Sequence, residues 1–108
     1  MIKLAHTMLE LRDANLLDTV RNLLTGAIKK DSKNQLAWHL LGTAYSRSGK
    51  LGLAALAYAE YNLLIGRKGT ARLMAQRAIR LMDIDQPGSK RASDILTTTK
   101  EIKRSKSR

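Results

Sequence analysis

The apolar residues of this chain recur at helical spacing, in segments of about twelve to fifteen residues that short polar turns separate. Two of the turn glycines, Gly49 and Gly66, lie seventeen residues apart. β-Branched residues form no alternating runs, and the one proline is Pro87. Because such a pattern favours helix over strand, the sequence predicts an all-α chain of five to six helices.

The apolar pattern also places the individual helices. It predicts helical segments from the start to about residue 11, over 17–30, from 35 to about 46, over 51–65, over 68–82 and, more weakly, over 90–102. The fourth segment is apolar nearly all round, which indicates that neighbouring helices cover it. The polar and basic composition of the last residues, 103–108, predicts a disordered tail.

A period of thirty-four residues relates these segments to one another. Trp38, Leu41, Gly42 and Tyr45 match the tetratricopeptide repeat (TPR) signature Trp-x2-Leu-Gly-x2-Tyr, with Ala54 and Tyr58 in the places of its later alanine and aromatic residue. Thirty-four residues earlier, Leu4 and Leu11 stand in the places of Trp38 and Tyr45. We therefore expect antiparallel helical hairpins, at about 1–34, 35–66 and 67–102, stacked in a right-handed superhelix.

The residue types of this signature have separate packing roles. Gly42 and Ala54 are expected where the two helices of a hairpin approach most closely, and the large residues Trp38, Leu41 and Tyr58 are expected between hairpins. The run Gly66, Ala71, Ala75, Ala78 also resembles the second helix of a hairpin. The register of the third unit therefore stays open.

Longer segments of the chain show a resemblance to a particular group of repeat proteins. These segments are residues 31–45, 52–57, 75–81 and 87–89. Over residues 4–96 the chain resembles the C-terminal repeat region of bacterial periplasmic HExxH zinc metalloproteases of the beta-barrel assembly-enhancing type. The resemblance implies an accessory domain, or a fragment, that binds proteins beside a zinc metalloprotease domain. It implies the periplasm, whereas a natural start at Met1 implies the cytoplasm.

The chain itself has no residues arranged for catalysis. There is no HExxH motif and no cysteine, and the only histidines are His6 and His39, which are too few for a zinc site. No apolar run reaches the roughly twenty residues that cross a bilayer. We therefore expect no catalytic residue, no metal and no cofactor, and a protein or peptide as the partner. Glu60, on an otherwise apolar helix, is either a buried acid or a residue that faces water.

The TPR resemblance also predicts which residues meet a peptide, because the first helix of each hairpin lines the concave groove in this fold. The predicted groove residues are Ile2, Ala5, Leu9, Arg12, Leu36, His39, Thr43, Ser46 and Arg47. This mixture suits an extended peptide with a carboxylate or with acidic side chains.

The charge distribution leaves a second function open. The chain has a net charge of +11, and residues 67–108 hold twelve basic and four acidic side chains. Candidate anion-binding residues are Arg67, Lys68, Arg72, Arg77 and Arg80. The alternative is therefore a basic adaptor that binds nucleic acid or an anionic membrane surface. Nucleic acid is the less favoured partner, because no aromatic residues alternate with these cations for base stacking.

Overall fold

The structure of the protein is built from helices joined by tight turns. The computed structural model describes residues 2–106, with side chains through residue 100. Its elements are α1 (Ile2–Glu10), a 3₁₀ turn (Ala14–Leu16), α2 (Leu17–Lys30), α3 (Gln35–Arg47), α4 (Leu51–Leu64), α5 (Lys68–Leu81) and α6 (Ser89–Lys106). No strand occurs among these residues, and the predicted all-α class is confirmed.

The last helix extends further than the sequence predicts. It continues to Lys106, whereas the sequence predicts a disordered tail from residue 103. Lys and Arg, which dominate this segment of the sequence, are good helix formers. Residues 107–108 of the predicted tail lie outside the described residues.

Two identical glycine turns end α3 and α4. Gly49 and Gly66 have positive φ angles of 76° and 83°, which glycine adopts without strain. In both turns the amide of the next residue bonds to the carbonyl four residues before the glycine, at 2.9 Å after Gly49 and 2.8 Å after Gly66. These are Schellman caps, so both helices end at the glycines that the sequence indicates.

Each helix packs on the next one in the chain, and α1 also contacts α3 while α4 contacts α6. The apolar helix α4 lies between α3 and α5, as its composition predicts. A Cβ atom on Gly42 would stand only 2.6 Å from Cε1 of Tyr58, so this glycine is where α3 and α4 approach closely. Tyr58 therefore packs within the α3–α4 hairpin, not only between hairpins as we expected.

The buried side chains form separate groups in the two halves of the molecule. The large buried residues of the N-terminal group are Leu9, Val20, Leu24, Leu40 and Leu41 on α1, α2 and α3, and its other buried members are alanines. The C-terminal groups contain Ala55, Ala59, Ala75, Ala78, Met82, Ala92 and Ile95 on α4, α5 and α6, with Met82 directly after α5. Burial of these apolar groups is the main force that holds the helices together.

Candidate binding surface

Helix α3 presents its polar side to solvent at the centre of the candidate surface. Asn34 caps the start of α3, with its Oδ1 accepting a hydrogen bond from the amide of Ala37 at 3.0 Å. This cap satisfies one of the free amides of the first turn and fixes where the helix begins. With Ala37, Leu41 and Ala44 buried on one side, His39, Ser46 and Arg47 remain exposed.

Two tyrosines from α4 reach the same side of α3. The His39 ring lies edge-on to Tyr58 and Tyr61, with ring centroids 5.7 and 4.9 Å apart. The hydroxyls of Thr43 and Tyr58 are 3.0 Å apart and share a hydrogen bond. Because these aromatic contacts restrict the His39 side chain, the imidazole is held at a fixed place on the surface.

A first depression lies between α1 and α3. It has a volume of about 270 Å³ and is lined by His6, Leu9, Glu10, Arg12, Leu40, Thr43 and Arg47. Nη1 of Arg47 donates a hydrogen bond of 2.6 Å to the carbonyl of Leu9, in the last turn of α1. The guanidinium therefore ties α3 to α1, at a carbonyl that also accepts a hydrogen bond from the Arg12 amide at 3.2 Å.

Arg12 stands beside Arg47 in a backbone conformation that few residues adopt. Its φ angle is +56°, in the left-handed region, where a side chain other than glycine costs roughly 1 kcal/mol. Both arginines also line an adjoining cavity of about 250 Å³, between the end of α1 and the start of α2. The strained residue therefore lies where two cavities meet.

A second depression lies on the other side of α3. It has a volume of about 230 Å³ and is lined by Ser46, Leu51, Ala54, Ala55, Tyr58, Met74 and Arg77. Its floor comes from α4 and its far wall from α5. Residues of α1, α3 and α5 thus border two neighbouring depressions, with α3 as the ridge between them. We call this face the α1–α3–α5 surface.

The α1–α3–α5 surface carries more cationic than anionic groups. Within residues 2–100, no carboxylate lies within 4.0 Å of the guanidinium of Arg12, Arg47 or Arg77. Glu10, which lines the first depression, lies 3.3 Å from the His6 imidazole, and Asp13 lines the adjoining cavity. A carboxylate bound here would meet guanidinium donors that are not already neutralised.

The predicted groove residues divide into three groups. Arg12, His39, Thr43, Ser46 and Arg47 lie together on the α1–α3–α5 surface, and Leu9 forms the floor of a depression. Leu36 is exposed at the start of α3 and Ile2 is half-buried against the core. Ala5 is fully buried, so its prediction as a groove residue is wrong. Its small side chain faces the neighbouring helices in the N-terminal core.

Two cations of the C-terminal half make specific contacts within the molecule. Nη1 of Arg72, one of the candidate anion-binding residues, donates to the carbonyl of Leu96 at 2.9 Å, so Arg72 ties α5 to α6. Arg91 binds Glu60 through two hydrogen bonds of 2.6 and 2.7 Å, and this contact raises the pKa of Arg91. Glu60 is therefore a paired acid on α4 that is only 13% exposed.

The remaining predicted cations do not form one site. Arg67 and Arg80 are exposed and Lys68 is half-buried, while Arg77 alone borders the second depression. Among the described residues, no group of three His, Cys, Asp or Glu side chains is placed to hold a metal ion. None of the described helices has the length and the apolar character needed to cross a membrane.

Several surface residues were missed by the sequence pattern. His6 and Glu10 share the first depression, and their spacing of four residues on one helix was a usable signal. Tyr61 and Met74 join the surface only because α4 and α5 pack beside α3. Contacts of this kind between helices cannot be predicted from a local sequence pattern.

Comparison with models of protein families, with characterised proteins and with solved structures finds no match for this chain.

Proposed function

We propose that this chain is a tetratricopeptide-type interaction module that binds an extended segment of another protein across the α1–α3–α5 surface. In this proposal the helices stack as hairpins in a right-handed superhelix. Three features support it: the contacts of α1 with α3 and of α4 with α6, the close approach at Gly42, and the repeated glycine caps. The role is binding, without catalysis.

The observation that carries the proposal is the position of α3 between two depressions that each border an arginine without a carboxylate partner. Arg47 borders the first depression and Arg77 borders the second. Charged hydrogen bonds to a carboxylate are about twice as strong as neutral ones, and arginine can bind both carboxylate oxygens. We therefore infer a ligand with an acidic side chain or a C-terminal carboxylate, and with apolar side chains for Leu9 and Met74.

The setting we propose follows the resemblance of residues 31–82 to the repeat region of envelope zinc metalloproteases. In that setting the module presents a protein segment to a zinc metalloprotease domain, in the same chain or in a partner, within the periplasm. The alternative function, a basic adaptor, has one of its candidate cations, Arg72, bonded to a carbonyl of α6, and another cation of the same half, Arg91, paired with Glu60. It therefore enters the experiment as a competing outcome.

The experiment is a selection of random peptides displayed with free C-termini, followed by affinity measurements on the selected sequences. We expect peptides with an acidic residue or an essential C-terminal carboxylate. Affinity should fall at least tenfold in Arg77→Glu, because the charge at the second depression is reversed. The matched control is Arg80→Glu, an exposed arginine of the same helix that lines neither depression.

Two outcomes would contradict the proposal. One is equal loss of affinity in both variants, which would indicate a general dependence on positive charge. The other is retention of random-sequence DNA or of anionic vesicles at physiological salt more tightly than any selected peptide. Either result would favour the basic adaptor.

A further inference from the structure

The outward side of α1 is a second apolar surface, separate from the α1–α3–α5 surface. Leu4 is 54% exposed and Leu11 is 66% exposed. Leu11 directly follows α1, and its amide keeps the helical hydrogen bond to the carbonyl of Thr7 at 3.3 Å. Residues seven apart lie on the same side of a helix, so the two leucines form one stripe. Exposed single leucines are ordinary, whereas an aligned pair on a short helix requires an explanation.

The corresponding side of α3 shows how such a stripe is covered. Trp38 and Tyr45 follow Leu4 and Leu11 by thirty-four residues. Both pack against the core group that contains Val20 and Leu24 of α2. The guanidinium of Arg21, also on α2, lies 5.8 Å from the centre of the Tyr45 ring. Helix α2 therefore covers the side of α3 that carries Trp38 and Tyr45. The equivalent side of α1, which carries Leu4 and Leu11, is exposed.

The direction of α2 on α3 follows from two contacts. Arg21, near the start of α2, meets Tyr45, near the end of α3. Ile28, near the end of α2, borders the same cavity as Trp38, near the start of α3. The two helices are thus antiparallel, and a helix on α1 in the same arrangement would have its C-terminal end at Leu4.

The charges beside the stripe suit that orientation. Lys3 lies next to Leu4 and Glu10 lies next to Leu11, and both are exposed. A helix has partial negative charge at its C-terminus and partial positive charge at its N-terminus. An antiparallel helix would therefore bring its negative end to Lys3 and its positive end to Glu10, which also lies 3.3 Å from the His6 imidazole. The net charge of +11 opposes pairing with a second copy.

We propose that the Leu4–Leu11 stripe is a docking surface for an amphipathic helix of a partner protein, which lies antiparallel to α1 and covers it as α2 covers α3. This surface faces away from the depressions beside α3. The chain would then bind two segments at once: a helix on the outer side of α1, and an extended peptide on the α1–α3–α5 surface.

The test uses α2 itself as the probe, because its apolar side is known to fit the equivalent side of α3. A second copy of residues 14–34 is placed directly before Met1, which is thirty-four residues before Gln35. Covalent attachment raises the effective concentration of the probe helix. We expect Tm to rise by about 5 °C, since burial of two half-exposed leucines stabilises the fold. The added helix should exchange its amide hydrogens at least tenfold more slowly than the same segment as a free peptide.

The control carries Leu4→Asp and Leu11→Asp together. In the extended protein these changes should remove the gain in Tm and the protection of the added helix. In the protein without the extension they should leave Tm within about 2 °C, because both positions face solvent. No gain on extension would overturn the proposal, as would a gain that survives both substitutions. A concentration-dependent dimer of the unextended protein that the two substitutions abolish would assign the stripe to a second copy instead.

Discussion

The N-terminal and C-terminal halves of the molecule are held together by side chains of different size. Around α1, α2 and α3 the buried residues include four leucines and a valine beside alanines, whereas around α4, α5 and α6 they are alanines with one methionine and one isoleucine. Large side chains hold helices apart and leave spaces between them. Alanines let helix backbones approach closely.

This difference in side-chain size corresponds to a difference in where the cavities lie. Both depressions border α3, and the two cavities that meet at Arg12 and Arg47 lie within the leucine-rich half. The alanine-rich half contributes one wall, through Met74 and Arg77 of α5. We therefore expect the free energy of unfolding to fall most when a buried side chain is shortened in the N-terminal half. In the C-terminal half it should fall most when a buried side chain is enlarged.

The largest effect is expected from Leu24→Ala. Leu24 is fully buried in the N-terminal core, and truncation would leave a cavity that costs about 2–5 kcal/mol in free energy of unfolding. Urea denaturation followed by circular dichroism measures this loss. The adjacent Leu23, which is only half-buried, provides the control as Leu23→Ala and should lose clearly less. Equal losses would mean that Leu24 is not a centre of the core.

Enlargement of a buried alanine should give the next largest effect. Ala75 is fully buried between α5 and its neighbours, so Ala75→Leu should destabilise the protein by about 1–3 kcal/mol through overpacking. The exposed position Thr70 on the same helix supplies the control, and Thr70→Leu should change stability by less than about 0.5 kcal/mol. A neutral Ala75→Leu would show that the C-terminal half is loosely packed.

Two glycines test whether helices approach each other closely at one position and not at another. Gly42→Ala would force Tyr58 away from α3, and we expect a loss of about 1–2 kcal/mol together with weaker peptide binding. Gly69 on α5 has no heavy atom within 4 Å of an added Cβ. Gly69→Ala should therefore be neutral, or stabilise by up to about 1 kcal/mol, because alanine favours helix. Thermal melting of both variants distinguishes the signs, and a shared sign would refute the close contact at Gly42.

The smallest effect is expected from the ion pair between α4 and α6. A double-mutant cycle with Glu60→Gln and Arg91→Gln should give a coupling of about 0.5–1 kcal/mol, because Arg91 is half exposed and solvent screens the pair. The pKa of Arg91 is raised, so its contribution is lost only as pH rises far above neutral. The coupling should shrink in 1 M salt. A coupling that salt leaves unchanged would contradict a screened surface pair.

The sequence correctly predicts those helix ends that neighbouring residues in the chain determine. The ends of α3 and α4 follow from Gly49 and Gly66, because only a left-handed residue completes those caps, and the start of α3 follows from Asn34. The candidate surface was only partly predictable. Ala5 was assigned to the groove by its repeat position, but its small side chain is enclosed by two neighbouring helices.

The contacts of long side chains could not be predicted from the sequence. Arg47 bonds a carbonyl thirty-eight residues away and Arg72 bonds one twenty-four residues away. The composition of α5 gave the same prediction for Arg72 as for Arg77, yet one guanidinium joins two helices and the other borders a depression. Which atom a flexible side chain reaches depends on how the helices pack, and no local pattern carries that information.

The most direct examination of the proposed function is a titration of the ¹⁵N-labelled protein with a selected peptide, followed by amide chemical shifts. The proposal predicts that the shifted amides cluster on α1, α3 and α5, including His39, Thr43, Ser46 and Arg77, with little change in α2. Shifts confined to α2 and α6, or spread evenly over the exposed lysines and arginines, would contradict it.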